Sequence, residues 1–292
     1  MIIVTGASGQ LGRGIVEQLL ERLPAAQIGV SVRNPEKARG LDERGVRVRQ
    51  GDFTDPSSLA HAFEGASQVL IVSTDTLGEA GVKQHRTAID AAVDAGARRI
   101  LYTSHMAASH HSVFAPARDH AATEGYLAST GVAFTSLRDG FHASSAPQML
   151  GANSTDGTLA VPADGPVAWT DVADLAEAAA VILAEGGTFD GPTPPLTAQT
   201  THTLGDVADL ATTADRPLAL DQLSDDDYRG RLRQRGLPDA AVEMMVGFFL
   251  AARAGEFAET DSTLPHLLGR PPRTLASVLP ELLSRPQPQW HN

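Results

Sequence analysis

The sequence contains no cysteine and almost no lysine. Its 23 basic residues include only two lysines, Lys37 and Lys83, and the rest are arginine. Without cysteine the chain cannot form a disulfide bond, a thiol nucleophile or a thiolate metal site. The absence of cysteine also fits a reducing compartment, and we expect a cytoplasmic protein. The scarcity of lysine limits every mechanism that depends on that side chain.

Long apolar runs and excess positive charge are missing as well. No apolar run in the sequence approaches the roughly 18 residues that a membrane-spanning helix needs. The chain begins in a strand-like segment rather than a charged stretch followed by an apolar one, so we expect no signal peptide. The net charge of −12 argues against binding nucleic acid or an anionic membrane through bulk charge. We therefore expect a small-molecule partner, and the sequence leaves a homo-oligomer open.

Three closely spaced glycines follow the first apolar segment, in the stretch MIIVTGASGQLGRG. Residues 1–5 are apolar and β-branched, which predicts a buried strand, and from residue 10 onward leucine and isoleucine recur at helical spacing. Gly6, Gly9 and Gly12 thus lie in a turn from a strand into a helix. Backbone N–H groups at a helix start favour an anion, so this turn predicts a site for the pyrophosphate of a dinucleotide. The alternative is a glycine-rich turn without a ligand.

Strand-like and helix-like stretches alternate as far as about residue 140. The predicted strands are 1–5, 27–32, 46–50, 68–73, 99–104 and 133–137, and helices are predicted at 35–44, 56–63, 78–95 and 117–129. This alternation predicts an α/β fold with a doubly wound parallel sheet, whose ligands bind at the carboxyl ends of the strands.

The alternation is lost after residue 140. Residues 151–169 are rich in Gly, Pro, Asp and Thr, and the predicted elements beyond them are helices 170–184, 204–214, 225–236 and 238–254, with strands near 188–198 and 217–223. We predict a dinucleotide-binding domain over residues 1–140. Residues 141–292 are predicted to form a smaller, mostly helical lobe that caps the substrate, and we leave open that some of its segments return to the main sheet.

The tip of the second predicted strand indicates which dinucleotide is bound. A carboxylate about 20 residues after the glycines binds the ribose of NAD, whereas arginine suits the 2′-phosphate of NADP. Arg33 stands at this tip and Lys37 follows four positions later, so we predict NADP(H); the alternative is two solvated surface charges. Asp52 and Phe53 follow the third strand and could contact the adenine, unless Asp52 only closes a turn.

Several stretches resemble the NmrA-like group of atypical short-chain dehydrogenase/reductases, and within it the type 2 quinone oxidoreductases and triphenylmethane reductases. The stretches are VTGASGQLG, VRNPEKA, GDFTDP, QHRTAIDAAVDAGARRILYTS, HAATEGYLASTGVAFTSLRDG, GLPDAAVEMM and LPHLLGRPPRTLASVL. This resemblance implies a Rossmann-type NADP domain, a small C-terminal lobe and a substrate in the cleft between them. It implies neither a flavin nor a metal.

The resemblance also implies which residues bind the cofactor. The pyrophosphate would be held by Gly6, Ala7, Ser8, Gly9, Gln10, Leu11 and Gly12, and the 2′-phosphate by Arg33 and Lys37. The ribose would contact Ser73 and Thr74. The nicotinamide would be held by Thr103, Ser104, His105, Asp139, Gly140 and Phe141. Asp139 stands where the quinone reductases commonly have asparagine, and a tyrosine expected nearby is absent. These two departures leave the substrate open.

The sequence lacks the Tyr-x-x-x-Lys pair with which most short-chain dehydrogenases protonate an alkoxide. The candidate catalytic residues are His120, Tyr126 and His105, although His120 could also be a histidine on a helix surface. Ser104 near histidines suggests a hydrolase, but no G-x-S-x-G motif accompanies it. We expect an NADPH-dependent reductase of a small conjugated electrophile such as a quinone. The alternative is an NADP(H)-binding redox sensor without turnover.

Overall fold

The structure is a computed structural model that describes residues 1–155, 157–186, 189–212 and 218–285. In these ranges the strands are β1 (Ile2–Thr5), β2 (Ile28–Val32), β3 (Arg47–Gln50), β4 (Gln68–Ile71), β5 (Arg99–His105), β6 (Ala133–Asp139), β7 (Phe141–His142), β8 (Ser154–Thr155), β9 (Thr158–Pro162), β10 (Trp169–Thr170), β11 (Gly191–Pro192) and β12 (Ala219–Leu223). The helices are α1 (Gln10–Leu20), α2 (Arg39–Asp42), α3 (Pro56–Phe63), α4 (Gly78–Asp94), α5 (Ala115–Ser129), α6 (Ser145–Asn153), α7 (Val172–Glu185), α8 (Leu204–Ala211), α9 (Asp225–Gln234), α10 (Asp239–Arg253), α11 (Thr263–Leu268) and α12 (Leu275–Ser284).

The main sheet is parallel and has the strand order β11-β6-β5-β4-β1-β2-β3. The predicted doubly wound Rossmann-type fold is therefore confirmed. Strand β1 pairs with β2 on one side and with β4 on the other, so the direction of winding reverses beside β1. In such sheets a crevice opens at this point, outside the carboxyl ends of the strands, and ligands bind there.

Helices cover both faces of the main sheet. Successive strand side chains point to opposite faces, so Val4 belongs to the same core cluster as Ile15 of α1 and Leu175 of α7, whereas Ile3 belongs to a second cluster with Phe63 of α3. Helices α4 and α5 lie with α3 on that second face. A sheet covered on both faces needs strands that are apolar throughout, which explains why the short apolar runs of the sequence located these strands so well.

Helix α7 packs on the main sheet, against α1, although it follows residue 140. The approach is close, because a Cβ added at Gly14 of α1 would lie 3.0 Å from the Cβ of Ala176. Strand β11 likewise joins the edge of the main sheet, beside β6. Both segments return to the main sheet from beyond residue 140, and the division of the chain into lobes at that residue stays a prediction.

The remaining C-terminal elements contain more β-structure than the sequence analysis suggested. The sequence predicts no element in residues 151–169, yet they contain β8 and β9, and β9 lies between β8 and β12 in a small sheet. The five residues of β9 are too few to stand out beside glycine and proline, although Leu159 and Val161 are buried. Helix α6 and the two-residue strands β7 and β10, which pair with each other, were also missed.

The predicted helix at residues 35–44 is wrong in its form. The chain forms a 3₁₀ helix at Pro35–Ala38 and only then the short α2. The Asn34 side chain accepts a hydrogen bond from the N–H of Glu36 at 3.0 Å, and this turn starts the tighter helix. Among the described residues no helix is both long and apolar enough to cross a membrane.

Candidate active site

The three glycines of the turn between β1 and α1 have three different roles. Gly6 has a φ of +64°, a conformation that residues with a Cβ rarely adopt. A Cβ at Gly12 would lie 2.4 Å from the carbonyl oxygen of Gly6, so only glycine lets the helix start this close to the strand. A Cβ at Gly9 would meet the same oxygen at 3.4 Å, an ordinary contact. Gly9 is therefore not needed for packing, and its missing side chain leaves space for a ligand.

The start of helix α1 is open to an anion. The helix has no side-chain cap and no acidic residue in its first turn. Ser8 and Gln10 of the turn are exposed, while Ala7 and Leu11 are buried. An uncapped helix start with free backbone N–H groups favours a phosphate. The residues of this turn thus fit the pyrophosphate of NADP(H).

A groove of about 410 Å³ runs from this turn across the ends of β2, β3 and β4. We call it the dinucleotide groove. It is lined by Gly6, Ser8, Gly9, Ser31, Val32, Arg33, Gly51, Asp52, Phe53, Thr54, Val72, Ser73, Thr74, Asp75, Thr76 and Gln84. The structure thus brings together most residues predicted to bind the phosphates, ribose and adenine.

Two residues predicted for the adenine end differ from expectation. Lys37 is exposed in the 3₁₀ turn and does not line the groove, whereas Arg33 does. One carboxylate oxygen of Asp52 accepts hydrogen bonds from the N–H of Thr54 at 2.8 Å and from its hydroxyl at 2.7 Å. These bonds lower the pKa of Asp52, and the charge of Arg33 lowers it further. The turn-closing alternative for Asp52 is therefore realised, although the residue also lines the groove.

A second cavity of about 210 Å³, which we call the aromatic cavity, lies at the ends of β5 and β6. It is lined by Leu11, Ser73, Thr103, Ser104, His105, Phe114, His120, Asp139, Gly140, Phe141, His142 and Ser145. Ser73 lines both this cavity and the dinucleotide groove. The two spaces therefore adjoin at Ser73, at the end of β4. The cavity wall also includes all six residues predicted to hold the nicotinamide, so the nicotinamide end of a cofactor in the groove would share the cavity with the substrate.

The hydroxyl groups at the strand ends are held by neighbouring side chains. The hydroxyl oxygen of Thr103 accepts a hydrogen bond from the N–H of Ser73 at 2.9 Å. Ser104 donates its hydroxyl to Glu124 at 2.7 Å, and Arg138 forms an ion pair with the same carboxylate at 2.8 Å. Because the Ser104 hydroxyl is committed to Glu124, the structure offers no support for the hydrolase alternative.

Asp139 is a buried carboxyl group at the wall of the aromatic cavity. The residue is 4% exposed, and one of its carboxyl oxygens has no hydrogen-bond partner among the described residues. Burial raises its pKa well above the ordinary value. A Cβ at the following Gly140 would lie 2.2 Å from the hydroxyl oxygen of Thr170, so the chain can pass this point only with glycine.

Three histidines surround the aromatic cavity, and burial favours the neutral form of each. Burial lowers the pKa of His105 to about 3 and that of His142 to about 4, and it lowers the pKa of His120 well below the ordinary value. The rings of His105 and His120 stack with their centroids 6.0 Å apart. No group of His, Asp and Glu in the described residues has an arrangement that could hold a metal ion. The histidines therefore offer neutral N–H donors and ring faces to a ligand.

Tyr126 lies outside the site, so the structure argues against its predicted catalytic role. Its hydroxyl donates to Asp90 of α4 at 2.6 Å, and the guanidinium of Arg86 lies 4.8 Å from the centre of its ring. It lines neither the groove nor the cavity. His120 precedes it by six residues on α5, a rotation of about 240° around the helix axis, which is why only His120 faces the cavity.

The sequence analysis missed several residues of the aromatic cavity. Phe114, His142 and Ser145 line it, and Phe248 packs behind Phe141 with ring centroids 5.1 Å apart. His142 belongs to the two-residue strand β7, for which the sequence carries no pattern. Phe114 directly precedes α5, a position that could have marked it, because the predicted catalytic helix starts nearby.

Comparisons with known proteins agree with this geometry. A family model described as NAD(P)H-binding matches residues 6–183. The chain belongs to this NAD(P)H-binding family.

Individual relatives match over nearly their whole length. Quinone oxidoreductase 2 of Escherichia coli is 35% identical over 97% of this chain and 99% of its own length. An NmrA-like family domain-containing oxidoreductase of Aspergillus flavus is 30% identical over 99% of this chain and 97% of its own length. The solved triphenylmethane reductase of Citrobacter sp., complexed with NADP(H), has a TM-score of 0.85 and 31% identity, covering 97% of this chain and all of that one. The predicted resemblance is confirmed.

We expect Gly9→Val to abolish NADPH binding without unfolding the protein, because its side chain would fill the space left for the pyrophosphate. Isothermal titration with NADPH measures binding, and a thermal melt checks the fold. Gly12→Ala is the matched contrast. Its methyl group would collide with the Gly6 carbonyl, so this variant should lose stability itself. If Gly9→Val bound NADPH with unchanged affinity, the turn would not be part of the cofactor site.

We expect Arg33→Ala to reduce the preference for NADPH over NADH by about 10- to 100-fold, since charge-assisted hydrogen bonds contribute roughly 1.5–3 kcal/mol. The measurement is the ratio of the two dissociation constants. Lys37→Ala is the control and should change the ratio much less, because Lys37 does not line the groove. Equal binding of both cofactors by the unmodified protein would contradict this role.

We expect stability to fall as the pH is lowered from 6.5 to 5.5. His85 and His142 have pKa values near 4, His105 near 3, and that of His120 is also lowered, all by burial. In this window the unfolded chain therefore binds protons that the folded chain does not, which costs about 1 kcal/mol per histidine between the two pH values. Asp139 contributes to the pH dependence of stability with the opposite sign, because its raised pKa lets the folded state hold a proton that the unfolded state releases.

The net loss should be about 2–4 kcal/mol, because the four histidines contribute about 1 kcal/mol each and Asp139 offsets part of that sum. Urea unfolding at the two pH values measures it. His142→Asn should reduce the number of protons that the protein takes up on unfolding by about one. A free energy of unfolding that stays constant between the two pH values would show that these histidines are not held neutral.

Proposed function

We propose that this protein is an NADPH-dependent reductase of a small conjugated carbonyl compound such as a quinone, bound in the aromatic cavity. The observation that carries the proposal is the junction of this cavity with the dinucleotide groove at Ser73. When bound, NADPH supplies the hydride. Membership of the NAD(P)H-binding family and the 35% identity to a quinone oxidoreductase support this function.

The walls of the cavity suit a flat, conjugated acceptor. Phe114 and Phe141 lie 6.1 Å apart between ring centroids, and the ring of His105 lies within 6 Å of both. Phe257 packs against all three. Aromatic side chains of this kind hold a planar ligand by its faces and edges and exclude water from it. The role of the chain is then to orient the acceptor in a dry site.

The tyrosines of the structure do not supply a free acid to this cavity. The Tyr102 hydroxyl contacts His120 inside the protein, that of Tyr126 contacts Asp90 at the surface, and that of Tyr228 donates to Asn153 in the C-terminal region. Neither lysine of the chain lines the cavity. The cavity therefore does not suit a substrate whose product must be protonated by a Tyr–Lys pair.

The lack of a Tyr–Lys acid favours quinones over simple ketones. Hydride addition to a ketone leaves an alkoxide, whose conjugate acid is about as weak as water, with a pKa of roughly 16. Addition to a quinone leaves a delocalised, phenolate-like anion whose conjugate acid has a pKa near 10. Water can protonate that anion after the hydride has moved, so no strong acid is required.

We expect rapid oxidation of NADPH with quinones and little with aliphatic ketones, followed as the loss of NADPH absorbance. His120→Ala should cost less than about 100-fold, below the upper range of a true general acid. Tyr126→Phe should have no effect. Fast ketone reduction that collapses about 10⁴-fold in His120→Ala would reveal an acid mechanism instead. Binding of NADPH without turnover of any acceptor would favour the sensor alternative.

The cytoplasmic location and a homo-oligomer remain predictions.

A further inference from the structure

A buried chain of hydrogen bonds connects the end of β4 with His120. The N–H of Thr74 donates to Nε2 of His85 at 3.0 Å. On the other side of that ring, Nδ1 lies 3.1 Å from the hydroxyl oxygen of Thr123 and 3.4 Å from that of Tyr102. The Tyr102 oxygen in turn lies 2.8 Å from Nδ1 of His120. Tyr102 is completely buried in β5.

The direction of these bonds follows from the first donor. A backbone N–H can only donate, so Nε2 of His85 must be the unprotonated nitrogen of a neutral ring. The proton of His85 is then on Nδ1, which donates to Thr123, and the Thr123 hydroxyl donates to the carbonyl oxygen of Asp119 at 2.9 Å. Because its Nδ1 already carries a proton, His85 cannot accept the proton of the Tyr102 hydroxyl.

The Tyr102 hydroxyl therefore donates to His120. Thr123 also lies near the phenol, but an imidazole nitrogen at 2.8 Å is a stronger acceptor than a hydroxyl oxygen. A neutral His120 that accepts at Nδ1 carries its own proton on Nε2. No described residue forms a hydrogen bond with that Nε2, and the ring lines the aromatic cavity. The network thus presents one N–H donor to the space proposed for the substrate.

We propose that Tyr102 is a positioning residue that holds His120 in its Nε2–H tautomer, and that this N–H donates a hydrogen bond to the carbonyl oxygen of the acceptor. The inference rests on the proposed function. When a hydride with its electron pair adds to a conjugated carbonyl compound, the negative charge develops on the oxygen, where a fixed donor stabilises it. Water later supplies the proton, so His120 keeps its own. The substrate class is therefore an acceptor with a carbonyl oxygen, in preference to a cationic dye, whose reduced product is neutral.

The tautomer can be observed in the unmodified protein, without cofactor or turnover. Nitrogen-15 spectra of the histidine rings at pH 7.5 should show His120 with a bare Nδ1 and a protonated Nε2, with the signal assigned by its loss in His120→Gln. Tyr102→Phe should shift His120 toward a mixture of tautomers. A protonated Nδ1 in the unmodified protein would overturn the proposal, even if the variant fails to fold.

Kinetics provide the second readout. Tyr102→Phe should lower kcat for a quinone by about 3- to 30-fold, as expected for loss of one oriented hydrogen bond, and leave the KM for NADPH unchanged. Reduction of a cationic triarylmethane dye should fall much less. Tyr228→Phe is the matched control, because it also removes a buried hydroxyl, and neither rate should change. Equal losses for both acceptors, or no loss, would overturn the positioning role. Failure to reduce any quinone would instead reject the proposed function and leave the tautomer measurement valid.

Discussion

The close approach of α1 to the end of β1 is the constraint on which both halves of the site depend. It exists because no Cβ stands between Gly12 and the carbonyl oxygen of Gly6. The same turn leaves Gly9 open toward the dinucleotide groove and places Leu11 at the wall of the aromatic cavity. One backbone contact therefore fixes the floor of the cofactor site and part of the substrate site together. A shift of this helix would disturb both.

Much of the main sheet could be predicted because its strands are short apolar runs between polar helices. The family resemblance implies Ser73, Thr103 and Asp139 as site residues, and they lie together because the carboxyl ends of parallel strands must meet at one edge. Residues outside this rule could not be found. His142 lies on a strand of two residues, and Tyr102 has the sequence pattern of an ordinary core residue of β5.

Two departures from expectation have specific physical causes. Tyr126 and His120 are both candidate polar residues near the end of the fifth strand, but their spacing on α5 places them on different faces of the helix. Lys37 is predicted to follow Arg33 by one helical turn, but the chain there forms a 3₁₀ turn that starts at Asn34, and Lys37 is not in the groove lining. Its contact with the 2′-phosphate stays a prediction. In each case the chemistry of the residue was suitable and the local backbone geometry decided the outcome. Motifs along the chain therefore locate a site more reliably than they assign roles within it.

The aromatic cavity gains its chemical character from desolvation. Among its described lining residues there is no lysine, arginine or glutamate, and burial favours a neutral Asp139 and neutral histidines. An anion formed in such a space is stabilised little by solvent, so each oriented dipole matters more than it would in water. Phe248 and Phe257 of the C-terminal region complete the aromatic packing that keeps the space dry. A single N–H on His120, fixed from behind by the Tyr102 hydroxyl, can then act on the developing charge without any residue changing its protonation state.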